Sequence, residues 1–587
     1  MATDLVAPVS KILRKIFRDP VDTKSIIFVS APGSSKRSGN HPLNQSGMAR
    51  INEQICMKFF NPLIAAMLFM IILAAGSCKV NQKRAHETDI RLQGAINQLH
   101  NLPFDSNQLM TFYRTFPELV KYEADVYTIY RQHRFHHLWF DEKGVVEFGH
   151  SLYSKVIDLH EEGISSTFPD MEQVEGIFES EKPNTLSNVE TELMLTNLYL
   201  FYADKVFKGI DEDTVKAMGW LLPRKQFSYT ALLDSVVLDP QVLNRDDSLL
   251  FRQYYKLRDV LQKYREIEKK GGWAPIDLDP QLKAYKPGDS AVAIRQIRER
   301  LFITGDLKEN NSSNRFDEAL SVAIQNYQRR NGKTQEPVIL PDLIREMNLP
   351  IGDLICKIVV NMERCRWISP DIVKAQELIV VNIPSFKLNM FRDGKGIFES
   401  PVVVGAVMTK TVIFSGMLSY IVFSPYWTPP QSIINKDVKP GMARNPNYLA
   451  AHNMEWNNGQ VRQKPGKNNS LGLVKFIFPN SNDIYLHDTP AKSLFARESR
   501  AFSHGCIRVG KPRDLAVTIL ADDTLWTPKK IDAAMNAGRE SSYTLKKKIP
   551  VYIGYFTAWV NAQGEINFYE DVYDRDERLK EILISEK

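Results

Sequence analysis

The sequence predicts a multidomain α+β protein, helical in its first half and mainly β in its second, and three observations carry that prediction. The chain has 587 residues, more than one ordinary hydrophobic core organises. Apolar residues recur at three- and four-residue spacing in "NVETELMLTNLYLFYADKVFKGI" and again in "FDEALSVAIQNYQRRNG", the period of helices. From Glu377 the period shortens in "ELIVVNIPSFKLNMF", the turn Asp393-Gly394 and "GIFESPVVVG", which together read as a β-hairpin feeding a sheet. A hydrophobic content of 43% and a charged content of 25% are those of globular protein, which excludes wholesale disorder.

The N-terminal region is separate in character. Residues 1–56 carry a charge surplus of +4 and Lys58 adds one, so the total of +6 leaves only +1 for everything after it. A nucleic-acid binder keeps its basic excess on its folded domains, and nucleic acid is therefore excluded as a partner. From Met57, "MKFFNPLIAAMLFMIILAAGSCKV" has a basic start, an apolar run and small residues before a cysteine, the layout of a bacterial secretory signal over residues 57–77. Ala75-Gly76-Ser77-Cys78 resembles a lipobox, which implies lipidation at Cys78, with Ala75 where Leu is usual; an uncleaved membrane anchor is the alternative reading. Both place the rest of the chain outside the cytoplasm. Residues 1–56 precede that signal and read as a mis-assigned start or a cytoplasmic tail.

Residues 78–115 are polar and read as a tether, and residues 116–270 as a helical domain. Within it, "YRQHRFHHLWF" groups His133, His136 and His137, but no HExxH motif or spaced Cys or carboxylate ligand accompanies them. They read as partly exposed histidines beside Phe135 and Trp139, and neither a metal nor a cofactor is expected. A small helical domain follows over residues 280–350. It has a turn at Pro287-Gly288, then Ile294, Ile297 and Leu301 on one face, then Leu320, Ala323, Ile324 and Tyr327 on another, with a stop at Asn331-Gly332. In the β half, residues 376–525, "MLSYIVFSPYW" is a further strand, and the polar Pro/Asn/Gly-rich stretch 424–471 reads as a capping segment. "GLVKFIF" and "DIYLHD" resume the sheet, and residues 526–587 read as a C-terminal segment packed on it.

The chemistry concentrates in "HDTPAKSLFARESRAFSHGCIRV", residues 487–509. The chain has five cysteines and no C-x-x-C pair. Cys356 and Cys365 lie nine apart, too far to bond along one helix, and read as small buried hydrophobes. Cys506 differs. A cysteine nucleophile needs a nearby base or positive field, because a thiol at its ordinary pKa is mostly protonated at neutral pH. His487 ends an apolar strand ahead of it. Gly505 lets the Ser503-His504-Gly505 turn aim successive N–H groups at one spot, as an oxyanion hole requires. Arg508 is placed to hold an anionic group.

His487, followed by Ser503-His504-Gly505-Cys506-Ile507-Arg508, resembles the signature of the L,D-transpeptidase (YkuD-type) catalytic domain. "VFSPYWTPPQSI", "NNSLGLVKF" and "PVYIGYFTAWVNAQGEINFYEDVYDRD" extend the likeness to the large YcbB-like branch, over about residues 116–580. Cys365 in "NMERCRW" stands where that branch suggests Trp. The resemblance implies a scaffold domain at 116–270, a peptidoglycan-binding domain at 280–350 and a capped catalytic domain. It makes Cys506 the acyl-accepting nucleophile, His487 the general base and the Ser503–Cys506 turn, with His504, the oxyanion site. Tyr485, Trp427 and Arg508 become candidates for gripping the substrate. The implied reaction is attack on a tetrapeptide peptidoglycan stem and transfer to an amine, giving a 3→3 crosslink in cell wall biogenesis. L,D-carboxypeptidase or hydrolase action and a non-catalytic wall-binding lipoprotein are the alternatives. The partners implied are peptidoglycan stem peptides, other wall-synthesis enzymes and the membrane, reached through an N-terminal lipid or anchor. The expected location is the bacterial envelope, facing the periplasm.

Overall fold

The computed structural model describes residues 103–585, apart from 142–143, 180, 225–226 and 239–248. The signal-like run and Cys78 lie outside the described residues. Among those described, no helix is long and apolar enough to cross a membrane.

The helical half is built around one helix, Asn188–Ala203. Ser187 and Glu190 close a capping box at its start, and every residue from Thr191 to Ala203 is buried, so other elements surround it on all sides. Glu192 is the polar exception inside that core. Its carboxylate accepts from the backbone N–H groups of Leu138 and Trp139 and from the Tyr130 hydroxyl. The helix Asn107–Thr115 packs Leu109, Phe112 and Tyr113 onto this core, so folded structure begins inside the stretch read as a tether. His137 is buried edge-on to Phe104, against the expectation of exposure, and His133 pairs with Asp234 at 2.9 Å. A two-strand hairpin, β1 (Phe140–Asp141) with β2 (Gly144–Val145), completes this part.

The small domain has helices Val292–Ile303, Glu318–Arg330 and Pro341–Met347 around its own core of Ile294, Ile297, Leu301, Leu320, Ile324 and Ile344. Both apolar faces read from the sequence are buried there. The third helix, with proline at its first position, was not anticipated.

The helix Ile351–Arg366 then joins the two halves. Its Glu363 and Arg366 form a buried pair at 2.9 Å. Glu363 also accepts from the Ile210 N–H, and Arg366 donates to the Val206 and Glu162 carbonyls. Every polar atom of such a pair needs a partner, and here the helical domain supplies them. Cys365 is fully buried on this helix, while Cys356 is only half-buried on its outer side.

The β half is closed. Its strands are β3 (Trp220–Leu221), β4 (Glu377–Asn382), β5 (Lys387–Arg392), β6 (Lys395–Gly405), β7 (Ile413–Phe423), β10 (Val474–Ile477), β11 (Leu486–His487), β12 (Ala501–Ser503), β13 (Ile507–Val509) and β14 (Ser541–Gly554). The pairings run β7–β10–β11–β13–β6–β5–β4–β14 and return to β7, so the main ring leaves no free edge. β3, contributed by the helical domain, pairs beside the start of β7, and β12 pairs with the end of β6. One correction concerns the boundary at 525/526. β14 lies beyond it yet is inserted between β4 and β7, so the C-terminal segment is part of the sheet and not a cover over it.

The stretch 424–471 forms a separate lobe with short helices and the hairpin β8 (Met454–Asn457) with β9 (Gln460–Gln463), around Val438, Met454 and Val461. A last hairpin, β15 (Ala558–Val560) with β16 (Ile566–Phe568), precedes the final helix Asp576–Ser585.

Candidate active site

The side-chain alternation of two adjacent strands assembles the site. β11 and β13 run parallel, with Leu486 opposite Ile507 and His487 opposite Arg508. Leu486, Ile507 and Val509 are fully buried in the core, so Tyr485, His487, Cys506 and Arg508 project from the opposite face. On the other side of β11, Lys475 of β10 is also in register with His487. The histidine thus sits between two cations.

His487 is buried, and its Nδ1 lies 2.5 Å from the Asp488 carbonyl oxygen. A carbonyl only accepts, so Nδ1 carries the proton and Nε2 keeps its lone pair. Burial drives the imidazole pKa down from 6.5 to about 4. The Asp488 carbonyl opposes the shift, and the charges of Arg508 and Lys475 add to it. His487 is therefore a neutral base at physiological pH. The Asp488 carboxylate does not touch the ring. It accepts from the N–H groups of Leu473 and Thr489 and from Lys492, fixing the backbone that presents the carbonyl. A Cβ at Gly472 would collide with that carboxylate, so the end of the capping lobe is fitted directly to the residue beside His487.

Cys506 is half-buried, and its Sγ donates to the Asp483 carbonyl at 3.6 Å. Burial raises the thiol pKa, while hydrogen bonds from the Tyr485 backbone and side chain lower it, as does the charge of Arg508. Tyr485 is thus set against the sulfur it would stabilise as thiolate, with its ring edge-on to His487 at 5.7 Å. The resting pair is neutral imidazole and neutral thiol. Thiolate forms only as the proton leaves.

The turn that carries Cys506 is held from three sides. Gly505 has φ +116°, a conformation that glycine adopts without strain. Ser503 Oγ donates to the Cys506 carbonyl at 2.5 Å and accepts the Gly505 N–H at 3.2 Å. The Gly505 N–H is therefore committed to Ser503, contrary to the oxyanion role expected of it. The Cys506 N–H, without an acceptor among the described residues, is the donor that remains. His504 is exposed on the turn. Thr411 is fully buried; it accepts from the Gly405 N–H and donates to the Gly505 carbonyl at 2.8 Å. Thr409 and the Ala406 N–H both bond the Ser503 carbonyl. Behind them the Tyr573 hydroxyl donates to the Gly405 carbonyl and accepts from the Thr411 N–H.

Of the residues picked from sequence, His487, Ser503, His504, Gly505, Cys506, Arg508 and Tyr485 lie together, and Trp427 stands in the capping lobe. Its backbone pairs with Gln463 and its side chain packs into the lobe core. The sequence reading missed Lys475, Asp488, Thr411 and Tyr573. Only Lys475 left a signal, as the one charged residue of "GLVKFIF".

Comparison with known proteins defines the class. Residues 376–531 match the L,D-transpeptidase catalytic domain (YkuD) and residues 124–261 match the Scaffold domain. The chain carries a YkuD-type L,D-transpeptidase catalytic domain together with a scaffold domain. A Haemophilus influenzae protein provisionally named an L,D-transpeptidase is 35% identical over 292 residues, covering 46% of this chain. The chain spans 57% of that relative's length. An L,D-transpeptidase from Mycobacterium smegmatis overlaps 30% of this chain and 58% of its own, at 13% identity and a TM-score of 0.18. One from Stackebrandtia nassauensis overlaps 48% and 95%, at 15% identity and a TM-score of 0.18. At those scores neither structure adds to the family match.

Proposed function

We propose that this chain forms 3→3 peptidoglycan crosslinks through an acyl-enzyme on Cys506, acting on tetrapeptide donor stems in the bacterial envelope. The observation that carries the reading is the neutral His487, its proton fixed on Nδ1, on the same sheet face as Cys506. His487 Nε2 takes the thiol proton as sulfur attacks the carbonyl of the L-centre of the stem's diamino acid. The Cys506 N–H supports the oxyanion that develops, with the turn locked by Ser503 and Thr411 so that little reorganisation is needed. Collapse expels the terminal D-alanine, which takes its proton from His487, and leaves a thioester. The acceptor amine then attacks, His487 removes its proton, and the thiol is restored. Arg508 and Lys475, flanking His487 in the ladder, suit the free carboxylates of such stems. The capping lobe and the small helical domain fit substrate closure and wall attachment. N-terminal anchoring at Cys78 or through the preceding apolar run would hold the enzyme at the membrane.

Purified protein with disaccharide-tetrapeptide substrate should give dimers lacking one D-alanine. Cys506→Ala should abolish them, while Cys356→Ala and Cys365→Ala should not. Release of D-alanine with tripeptide products alone would identify a carboxypeptidase instead.

A further inference from the structure

The Asp488 carboxylate is buried beside the catalytic base, and the groups that satisfy it come from two different parts of the fold. A buried carboxylate opposes folding unless its oxygens are bonded. The Thr489 N–H and the Lys492 ammonium, both on its own segment, supply Oδ1 at 2.7 and 2.5 Å. Oδ2 takes the Leu473 N–H at 2.9 Å, where the chain returns from the capping lobe. Asp488 grips that return with its backbone as well, its N–H donating to the Val474 carbonyl at 2.9 Å. Gly472 completes the fit. Its φ is +63°, and a Cβ there would stand 2.3 Å from the carboxylate.

These bonds form a continuous chain from the lobe to the base. Asn469, fully buried at the foot of the lobe, donates to the Pro425 and Lys464 carbonyls, and its own carbonyl takes the Gly472 N–H at 2.8 Å. The Leu473 carbonyl takes the Ser424 N–H at 2.9 Å, which ties the two ends of the lobe together. The Leu473 N–H reaches Asp488, whose carbonyl holds Nδ1 of His487 at 2.5 Å. A displaced lobe would draw the Leu473 N–H away from a buried carboxylate. Asp488 keeps that bond only by following, and following moves the carbonyl that fixes the imidazole. The tautomer decides the chemistry, because a ring with its proton on Nε2 cannot take one from the Cys506 thiol.

We infer that Asp488 is a positioning residue that couples the capping lobe to the base: the seated lobe and the Nδ1–H form of His487 favour one another. Coupling of this kind is reciprocal, so a donor that holds the lobe down also arms the base. That consequence for acylation rests on the function proposed above; the coupling itself is a property of the resting protein.

The test is nitrogen NMR of the full chain labelled with ¹⁵N-histidine, with the His487 ring signals identified by their loss in His487→Gln. The wild-type protein should show one Nδ1–H tautomer at neutral pH. Asp488→Ala should populate the Nε2–H form, and so should Asn469→Ala, which changes only the foot of the lobe. Asp488→Asn, which keeps one acceptor oxygen, should fall between wild type and Asp488→Ala. Each alanine variant should slow carbapenem acylation of Cys506 about tenfold. Both cut one chain, so the double variant should be about as slow as the slower single one, not about a hundredfold slower. If Asp488→Ala does not fold, Asp488→Asn takes its place in the cycle. Unchanged His487 signals in Asn469→Ala protein whose lobe amides exchange faster would overturn the proposal, and so would effects that multiply. The tautomer is read without substrate, so a chain that shows the coupling yet forms no crosslinks would refute the transpeptidase reading alone.

Discussion

At the scale of single residues, His487 holds its proton on Nδ1 and titrates near 4, so acylation should not follow an ordinary histidine curve. The rate of carbapenem acylation at Cys506 should stay flat from about pH 5 to 7, and an inflection near 6.5 would place His487 in a more solvated setting. His487→Ala should slow acylation by about 10²–10⁴-fold near neutrality and recover in part at higher pH, as the thiol ionises unaided. The same shift bears on stability. The folded pKa lies below the unfolded one, so between them the unfolded state binds more protons. His487's contribution is therefore complete above about 6.5 and is lost as pH falls toward 4, by about 3 kcal/mol in all. Comparing melts of wild type and His487→Gln across that range should show a shallower slope in the variant. Thr411 is the other decisive residue. Thr411→Val keeps the shape but strands the Gly405 N–H and the Gly505 carbonyl, at about 1–3 kcal/mol, and should slow acylation; Thr411→Ser should restore both. The sequence exposed His487 and Cys506 because their chemistry demands those residue types. Thr411 stayed hidden because a threonine that fastens two backbone groups leaves no pattern in the chain.

At the scale of elements, the periodic stretches were legible and the irregular ones were not. Ile294, Ile297 and Leu301 are buried where the helical period put them, and Asp393-Gly394 makes the turn between β5 and β6. The capping stretch was recognised only by its polarity. Its core of Val438, Met454 and Val461 is too small and too scattered in sequence to show a period. What fixes the lobe is a staple at its base. Asn469 is fully buried, donates to the Pro425 and Lys464 carbonyls and accepts from the Leu471 N–H, while the Ser424 N–H bonds the Leu473 carbonyl. Asn469→Ala should loosen the lobe without opening the sheet. Amide exchange in 425–468 should rise while β4 to β7 stay protected, and acylation by a donor stem should weaken more than acylation by a small carbapenem. Faster exchange throughout the sheet would mean that the lobe and the sheet unfold together.

At the scale of the whole molecule, the C-terminal segment stitches the parts together, and here the sequence reading stopped short. "SSYTLKKKIPVYIG" carries a lysine run and Pro550, which local rules assign to edge strands, yet it is a central strand here. The sheet accommodates both through a register shift between Thr544 and Ile549, with Pro550 opposite Met417. Beyond β14, the Asp576 carboxylate pairs with Arg364 of the joining helix at 2.6 Å. The Ile566 carbonyl takes a hydrogen bond from Arg330 of the small domain, and Tyr573 reaches the loop behind Cys506. Truncation after Arg539 should therefore be far more damaging than the family match, which ends at residue 531, suggests. It removes the strand between β4 and β7, exposing two edges and the apolar faces of Ile379, Val381, Leu418 and Ile421. The truncated protein should aggregate, show no cooperative melt and form no carbapenem adduct at Cys506. Truncation after Asp574 keeps β14 and Tyr573 and loses the last helix with its Arg364 partner, together with Arg575, which donates to the Met218 carbonyl. It should melt lower but cooperatively, and still form the adduct. A well-folded, acylable protein ending at Arg539 would show that the barrel closes without β14.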